Sequence, residues 1–304
     1  PGEAREKIAA RLRRRDESFL LLARQGIYDN PASPYLKLLE EAGCSYGDLA
    51  RGIAGEGLEG MLLKLKQAGV WLSPDEFKGR VPIRRGSLEF HPSPDDFENC
   101  HLGKGLFVST GGSTGRPVKT KLDLDFLAAR AVYDRVAMEM LDLDGVPLIL
   151  WYPSLPASTG IGNSLRYAKA GKVPVRWFNM LGGDLAECNL ESRVAAGLIV
   201  RLSRLCGTPL PIPEAMALDM VEPVAEQILA LLEEHGRCAF QSYVSQALRV
   251  AGVLQARRRN LEGLLMIVGS EPLTRAKRGL LEAGGASIYH RYFATEAGSI
   301  GMGC

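Results

Sequence analysis

The densest run of groups able to hold a phosphate is Ser109-Thr110-Gly111-Gly112-Ser113-Thr114-Gly115-Arg116-Pro117. Glycines let backbone N–H groups turn inward where a Cβ would block them, and the hydroxyls add further donors, which suits a polyphosphate. A solvated turn uses the same residue types, so the run alone leaves both readings open. Two better-known phosphate patterns are excluded. A Walker loop needs Gly-Lys-Ser/Thr where Gly115 is followed by Arg116 and Pro117. A dinucleotide fingerprint starts at Gly160-Ile161-Gly162 and fails at Leu165.

A second run, Tyr289-His290-Arg291-Tyr292-Phe293-Ala294-Thr295-Glu296-Ala297-Gly298, ends an apolar segment in aromatic rings, a hydroxyl and a carboxylate. An aromatic ring can stack on a purine, a threonine can donate to a phosphate, and a glutamate can hold Mg²⁺ through oxygen. Thr295-Glu296 reads equally as a helix start, with its acid in the first turn. Upstream, Gly269-Ser270-Glu271-Pro272-Leu273-Thr274 closes the apolar run Leu264-Leu265-Met266-Ile267-Val268. It is a strand-to-helix turn with Thr274 near an N-cap, which leaves room for a binding role.

The elements that must position these runs follow from periodicity. Segments 106–109, 146–152, 173–178, 238–241, 264–269 and 287–293 predict strands. Segments 125–141, 190–205, 221–234, 244–255 and 274–282 predict helices between them. The alternation predicts an α/β fold: a largely parallel sheet flanked by helices, whose ligands sit in strand-to-helix loops beyond the carboxyl ends of the strands. The loop 110–117 is expected in such a position. Before it, residues 1–104 predict a mainly helical region, with a helix over 4–25 ended by Gly26, another opened by Ser33-Pro34, and a third over 58–68 stopped by Gly69. Residues 70–98 read as irregular structure. The α/β core is expected over 105–304.

Composition narrows the class further. Of 304 residues, 37 are Lys or Arg and 35 Asp or Glu, a net charge of +2 that makes no electrostatic case for nucleic acid. The cluster Arg11, Arg13, Arg14, Arg15 is followed by Asp16 and Glu17 and reads as a solvated helix face. Six cysteines without a Cys-x-x-Cys pair and four scattered histidines predict neither a zinc site nor a disulfide framework. No apolar run reaches the roughly 18 residues of a membrane span, and no signal-peptide pattern opens the chain, so a soluble, cytoplasmic protein is expected.

The three runs together resemble the adenylate-forming superfamily, in order and in approximate separation. Residues 110–117 resemble its phosphate loop, 269–272 its adenine-side turn and 292–296 its aromatic-x-x-Thr-Glu motif. Ser33-Pro34-Tyr35, Leu38, Ala68-Gly69-Val70 and the phrase 269–273 look like the phenylacetate–CoA ligase-like branch. The likeness spans the chain and is weakest in the first third. It implies the large N-terminal domain of such an enzyme. Thr110, Gly111, Gly112, Ser113, Thr114 and Gly115 would wrap the β- and γ-phosphates of ATP. Gly269, Ser270, Glu271 and Pro272 would line the adenine and ribose side, with Tyr292, Phe293 and Ala294 near the base. Thr295 would bond the α-phosphate and Glu296 would coordinate Mg²⁺, making these two the catalytic pair. The usual lysine after the loop proline is Val118 here, with Lys119 one place later, which puts that lysine's role in question. By position, Tyr152, Thr159, Gly160, Ser242 and Tyr243 could line an acyl pocket, although aromatic core packing explains Trp151 and Trp177 as well.

The implied reaction is ATP-dependent activation of a carboxylic acid as an acyl-adenylate, followed by transfer to a thiol, with coenzyme A (CoA) as the expected acceptor. Transfer to a protein thiol is the close variant, and a non-catalytic nucleotide- or acyl-binding module is the alternative from another class. The chain ends just past the Thr-Glu motif, and it begins at Pro1. A piece of a longer enzyme is therefore expected, with a homodimer or a C-terminal region outside this chain left open as partners.

Overall fold

The computed structural model describes residues 2–97, 105–109, 119–181, 190–294 and 298–303. Two compact units divide the chain, one of Glu6–Leu102 and one of Pro1–Arg5 with Gly103–Cys304.

The smaller unit is helical around a core of Ala23, Leu39, Leu49, Ile53, Met61 and Leu65. Its elements are α1 (Gly2–Arg13, whose first residues belong to the other unit), α2 (Arg15–Ala23), α3 (Pro34–Glu41), α4 (Tyr46–Gln67) and the short α5 (Pro74–Phe77). The single helix expected over 4–25 is interrupted at Arg14, and Gly26 does not end it. Instead the chain widens into a π-helical turn, Arg24–Tyr28, closed by Asp29 N donating to Arg24 O at 2.7 Å. Leu12 and Leu22 lie on exposed faces, so the apolar spacing that suggested one continuous stripe does not bury one. Ser45 and Asp48 form a reciprocal capping box at the start of α4, and Ser73 and Glu76 form another at α5. The stretch expected to be irregular holds α5 and a hairpin of β1 (Ile83–Arg85) and β2 (Leu88–Phe90).

The larger unit opens with a separate antiparallel pair, β3 (Gly105–Ser109) and β4 (Lys119–Asp123), followed by α6 (Leu124–Met140). The main elements are then β5 (Leu148–Trp151), α7 (Ser158–Lys169), β6 (Arg176–Leu181), α8 (Leu190–Leu205), β7 (Pro213–Ala217), α9 (Glu222–His235), β8 (Cys238–Tyr243), α10 (Val244–Ala256), β9 (Leu264–Gly269), α11 (Arg275–Glu282), β10 (Ser287–Ala294) and β11 (Gly298–Met302). Among the described residues the sheet has seven strands in the order β11-β10-β9-β8-β5-β6-β7, parallel except for β10 against β11.

Helices cover both faces, because the central strands are apolar on both sides. On one face Ile149, Trp151, Phe240 and Met266 pack against Val224, Ile228, Val250, Leu254 and Leu281 of α9, α10 and α11. On the other Leu148, Leu150, Tyr152 and Trp177 pack against Leu127, Ala131 and Met138 of α6 and Ile161 and Tyr167 of α7. This is the α/β architecture expected from the alternating pattern.

Three expectations need correction. The loop 110–117 does not link a strand to a helix: it falls within the connection between antiparallel β3 and β4, whose ends pair at Ser109 and Lys119. The sequence Lys-Thr-Lys-Leu-Asp of β4 is too polar to stand out as a strand. β7 also went unpredicted, because it is a sheet-edge strand that begins at a proline. Finally, β11 begins at Gly298, so the chain beyond Thr295-Glu296 is a strand and not the helix that the helix-start reading required.

Candidate functional site

The parallel register of β9 and β10 brings two of the three motif runs together. Arg291 pairs with Gly269, so β9 ends beside β10 at the carboxyl edge of the sheet, and β10 runs three residues further to Ala294. The turn 269–272 leaves that edge beside β10, which carries Tyr292 and Phe293. Gly269 permits the approach: a Cβ there would lie 2.7 Å from Arg291 O and 3.5 Å from Phe293 Cε1. Ser270 takes a left-handed conformation at φ 65°. The Glu271 carboxylate accepts from Ser245 N and from Ser245 Oγ, both at 2.7 Å, joining this turn to the first turn of α10. Thr274 caps α11 by accepting from Lys277 N at 3.3 Å. Tyr292 is exposed at the end of β10 and Phe293 is half-buried beside it.

Thr110, Gly111, Gly112, Ser113, Thr114, Gly115, Thr295 and Glu296 lie outside the described residues, as do the side chains of Lys119 and Ala294. The backbone of Lys119 opens β4 and that of Ala294 ends β10.

The residues assigned to an acyl pocket surround the end of β5. The Tyr152 and Tyr243 rings meet edge to face at 5.0 Å, and Tyr243 Oη donates to Thr159 Oγ1 at 3.4 Å. Burial pushes both phenols above their ordinary range. Gly160 serves close packing, since a Cβ would fall 2.5 Å from both Pro153 O and Trp177 Cζ2. The Ser242 hydroxyl is turned into the core, where it donates to Trp151 O at 2.9 Å.

Beside these residues lies a cleft lined by Asp123, Phe126, Leu127 and Arg130 of the β4–α6 segment, by Ser158, Thr159, Gly162, Asn163 and Arg166 of α7, and by Phe293. Its inner wall is a buried polar network that sequence reasoning missed. Arg291 Nη2 donates to Asp134 Oδ1 at 2.6 Å, and Arg166 Nε is in ion-pair contact with Asp134 Oδ2. Arg166 Nη2 donates to Asn163 Oδ1 at 2.7 Å, and Gln241 Nε2 donates to the same oxygen at 3.2 Å. Tyr167 Oη donates to Gln241 Oε1 at 2.6 Å and accepts from Arg291 Nη1 at 3.3 Å.

Burial alone would push the Asp134 carboxyl up, but Arg166 and Arg291 overcome it and hold the group below the usual carboxylate range. Burial opposes the Arg291 charge, but Asp134, joined by Tyr167 and Tyr152, overcomes it and holds the group above its ordinary value. Arg130 goes the other way: burial lowers it to about 10, and the Arg166 and Arg291 charges add to that effect against Asp134. The helical spacing of Arg130 and Asp134 was visible in the sequence, but nothing local marked Arg166 and Arg291 as their companions.

The fold and this edge define a doubly wound α/β unit with its candidate site at the carboxyl ends of the strands. No protein-family model matches the chain, and no curated protein matches it. Among solved structures it is similar to 2-hydroxyisobutyryl-CoA ligase in complex with 2-HIB-AMP and CoA in the thioesterification state. That likeness has a TM-score of 0.45 and 16% identity, and covers 93% of this chain and 49% of that one. An open conformation of the same ligase gives a TM-score of 0.43 and 14% identity over 91% of this chain and 49% of that one. The chain thus spans about half the length of these structures. At these values the functional case rests on the chain's own residues.

Among the described residues no helix is long and apolar enough to cross a membrane. No group of three or more His, Cys, Asp or Glu among them is placed to hold a metal ion.

Proposed function

We propose that this chain carries the nucleotide-binding part of an adenylate-forming ligase, which activates a carboxylic acid with ATP and passes the acyl group to CoA. The observation that supports it best is the pairing of Arg291 with Gly269, which puts the turn 269–272 at the same sheet edge as Tyr292 and Phe293, the first residues of the run that resembles the aromatic-x-x-Thr-Glu motif. The loops after consecutive parallel strands share one edge, the position from which both would face one nucleotide.

In this reading the substrate carboxylate attacks the α-phosphorus of ATP, the bond to the bridging oxygen breaks, and pyrophosphate leaves. The CoA thiolate then attacks the acyl carbon and AMP leaves. The protein's part is positioning and charge neutralisation, which needs no protein nucleophile. The exposed Tyr292 ring is available to stack on the base, and the turn 269–272 forms the adenine and ribose side. Thr110, Gly111, Gly112, Ser113, Thr114 and Gly115 supply phosphate donors, Thr295 bonds the α-phosphate, and Lys119 is the nearest substitute for the usual loop lysine.

Glu296 is the residue that would hold Mg²⁺, which would neutralise phosphate charge when bound. A single carboxylate suits that ion, because Mg²⁺ keeps several waters and shares itself with substrate phosphates. The phenylacetate–CoA ligase-like branch rests on the phrases around Ser33 and Gly269 and is part of the same proposal.

The test is carboxylate-dependent exchange of pyrophosphate into ATP by the full-length protein, over a broad panel of acids. Exchange with at least one acid, abolished by Glu296→Gln, is expected. An absence of exchange with every acid counts against adenylation and favours a non-catalytic binding module.

A further inference from the structure

We propose that the cleft between α6, α7 and the end of β10 is a carboxylate-binding site whose receiving cation is Arg130. The inference deepens the adenylation reading and rests on it only for the identity of the anion, a carboxylate of the acid substrate.

Among the described residues around the cleft, three arginines face two acids. Arg130, Arg166 and Arg291 gather about Asp134, and both Asp134 oxygens are already engaged, Oδ1 by Arg291 and Oδ2 by Arg166. Asp123, the other acid at the cleft, accepts from the backbone N–H groups of Asp125 at 2.7 Å and Phe126 at 2.9 Å as the cap of α6. Arg166 is further committed to Asn163. Among the described residues Arg130 has no ion-pair contact of this kind. Its Nε is buried without a hydrogen-bond acceptor, as are those of Arg166 and Arg291, and its guanidinium lies 5.5 Å from the centre of the Phe126 ring. A half-buried guanidinium that shares the charge of Asp134 with two other arginines is costly unless a further anion completes it.

The position fits the reaction. Phe293 of β10 lines the same cleft, two residues before Thr295. The stem of Arg130 lies against Gly298, where a Cβ would be 3.2 Å from both Cδ and Nε. Arg130 is therefore placed beside the start of β11, with Phe293 of β10 on the same cleft. Across the cleft, no side chain caps the first turn of α7, and Thr159 faces the same space. Phe126 and Phe293 give the cleft aromatic walls beside Arg130 and its other polar groups, an arrangement that suits an acid with an apolar body.

Two carboxylates could occupy it, the one being activated or a second, distal one on a diacid. The experiment uses hexanoate, adipate and the neutral hexanamide, titrated into the full-length protein and followed by calorimetry and by the arginine Nε–Hε resonances, with Arg130 assigned through Arg130→Lys. At least one carboxylate is expected to bind and shift the Arg130 resonance, with hexanamide binding at least tenfold more weakly. Arg130→Gln should weaken carboxylate binding at least tenfold and leave ATP binding unchanged, with partial recovery in Arg130→Lys. Hexanoate binding as tightly as adipate assigns the activated carboxylate, and tighter adipate assigns a distal one.

Equal binding of hexanoate and hexanamide, an unmoved Arg130 resonance, or binding of neither carboxylate at millimolar concentration would overturn the site. Arg130-dependent binding without any pyrophosphate exchange leaves the site standing and removes adenylation. Exchange with an unchanged KM for the acid in Arg130→Gln does the reverse.

Discussion

Arg291 and Asp134 are 157 positions apart in sequence and 2.6 Å apart in space, a buried hydrogen-bonded ion pair that ties β10 to α6. Arg166 of α7 completes the triad on the other carboxylate oxygen. Each member is 5% exposed or less. Removing the shared acid leaves two buried cations facing each other, the situation in which breaking a buried pair costs about 3–5 kcal/mol. Asp134→Ala is expected to lower unfolding stability by about that much. Asp134→Asn keeps one acceptor and should lose less. Urea denaturation of the two variants against the parent chain measures both, and an Asp134→Ala loss near zero would show the triad to be energetically idle.

The same pair gives a pH signature. Asp134 is held below its ordinary carboxylate value, so the folded state binds the proton less tightly than the unfolded state does. Its stabilisation is therefore complete above the unfolded value of about 3.9, and drains away as the pH falls from there through the folded value. The stability difference between the parent and Asp134→Asn should be constant above about pH 5 and shrink below about pH 4. Denaturation midpoints taken across that window follow it. A difference that grew on acidification would contradict the sign.

The α/β class was legible because the central strands are buried on both faces and read as short apolar runs, with β9 matched residue for residue by the run at 264–269. Helices α8 and α10 were equally plain. The strands that escaped were those whose sequences carry no apolar run. The hairpin partner β4 is mostly charged, and the edge strand β7 begins at a proline. At the site, local phrases such as 269–274 announce a turn, but the convergence of Arg130, Asp134, Arg166 and Arg291 belongs to the packing of α6, α7 and β10. No window of sequence contains it.

Gly160 was assigned to a pocket by position, yet its immediate contacts are Trp177 and the Pro153 carbonyl. An added methyl would sit 2.5 Å from each, and a backbone oxygen and a fully buried indole have little room to yield. Overpacking of this kind costs about 1–3 kcal/mol. Gly160→Ala should lose stability in that range, read by thermal or urea unfolding, with Trp177 fluorescence altered in the folded state. An unchanged midpoint would mean that α7 can shift at no cost.

Glu271 stands in the turn proposed for the ribose side, and its carboxylate also supports α10 through both Ser245 contacts. The first-turn N–H groups of a helix lack internal partners, so a carboxylate accepting from one acts as a cap supplied from another segment. Glu271→Ala is expected to cost about 1–2 kcal/mol, the usual value of a lost cap. Glu271→Gln should recover part of it, because the amide still carries an acceptor. Unfolding measurements that place both variants at the parent value would show the Ser245 contacts to be dispensable.

Gly298 joins the Thr295-Glu296 segment to β11 at φ 80°, a left-handed conformation that an L-side chain enters at a cost of about 1–2 kcal/mol. A methyl there also meets Arg130 at 3.2 Å on two atoms, closer than ordinary contact, so the arginine stem must give way. Gly298→Ala is accordingly expected to be destabilised by at least the backbone cost and to displace the guanidinium from the cleft. The two effects separate by measurement. Unfolding reports the backbone, while the Arg130 Nε–Hε resonance of the folded variant reports the side chain. A variant that is less stable but leaves that resonance in place would confine Gly298 to backbone geometry, and one that moves it ties the strand end beyond Thr295-Glu296 directly to the cation in the cleft.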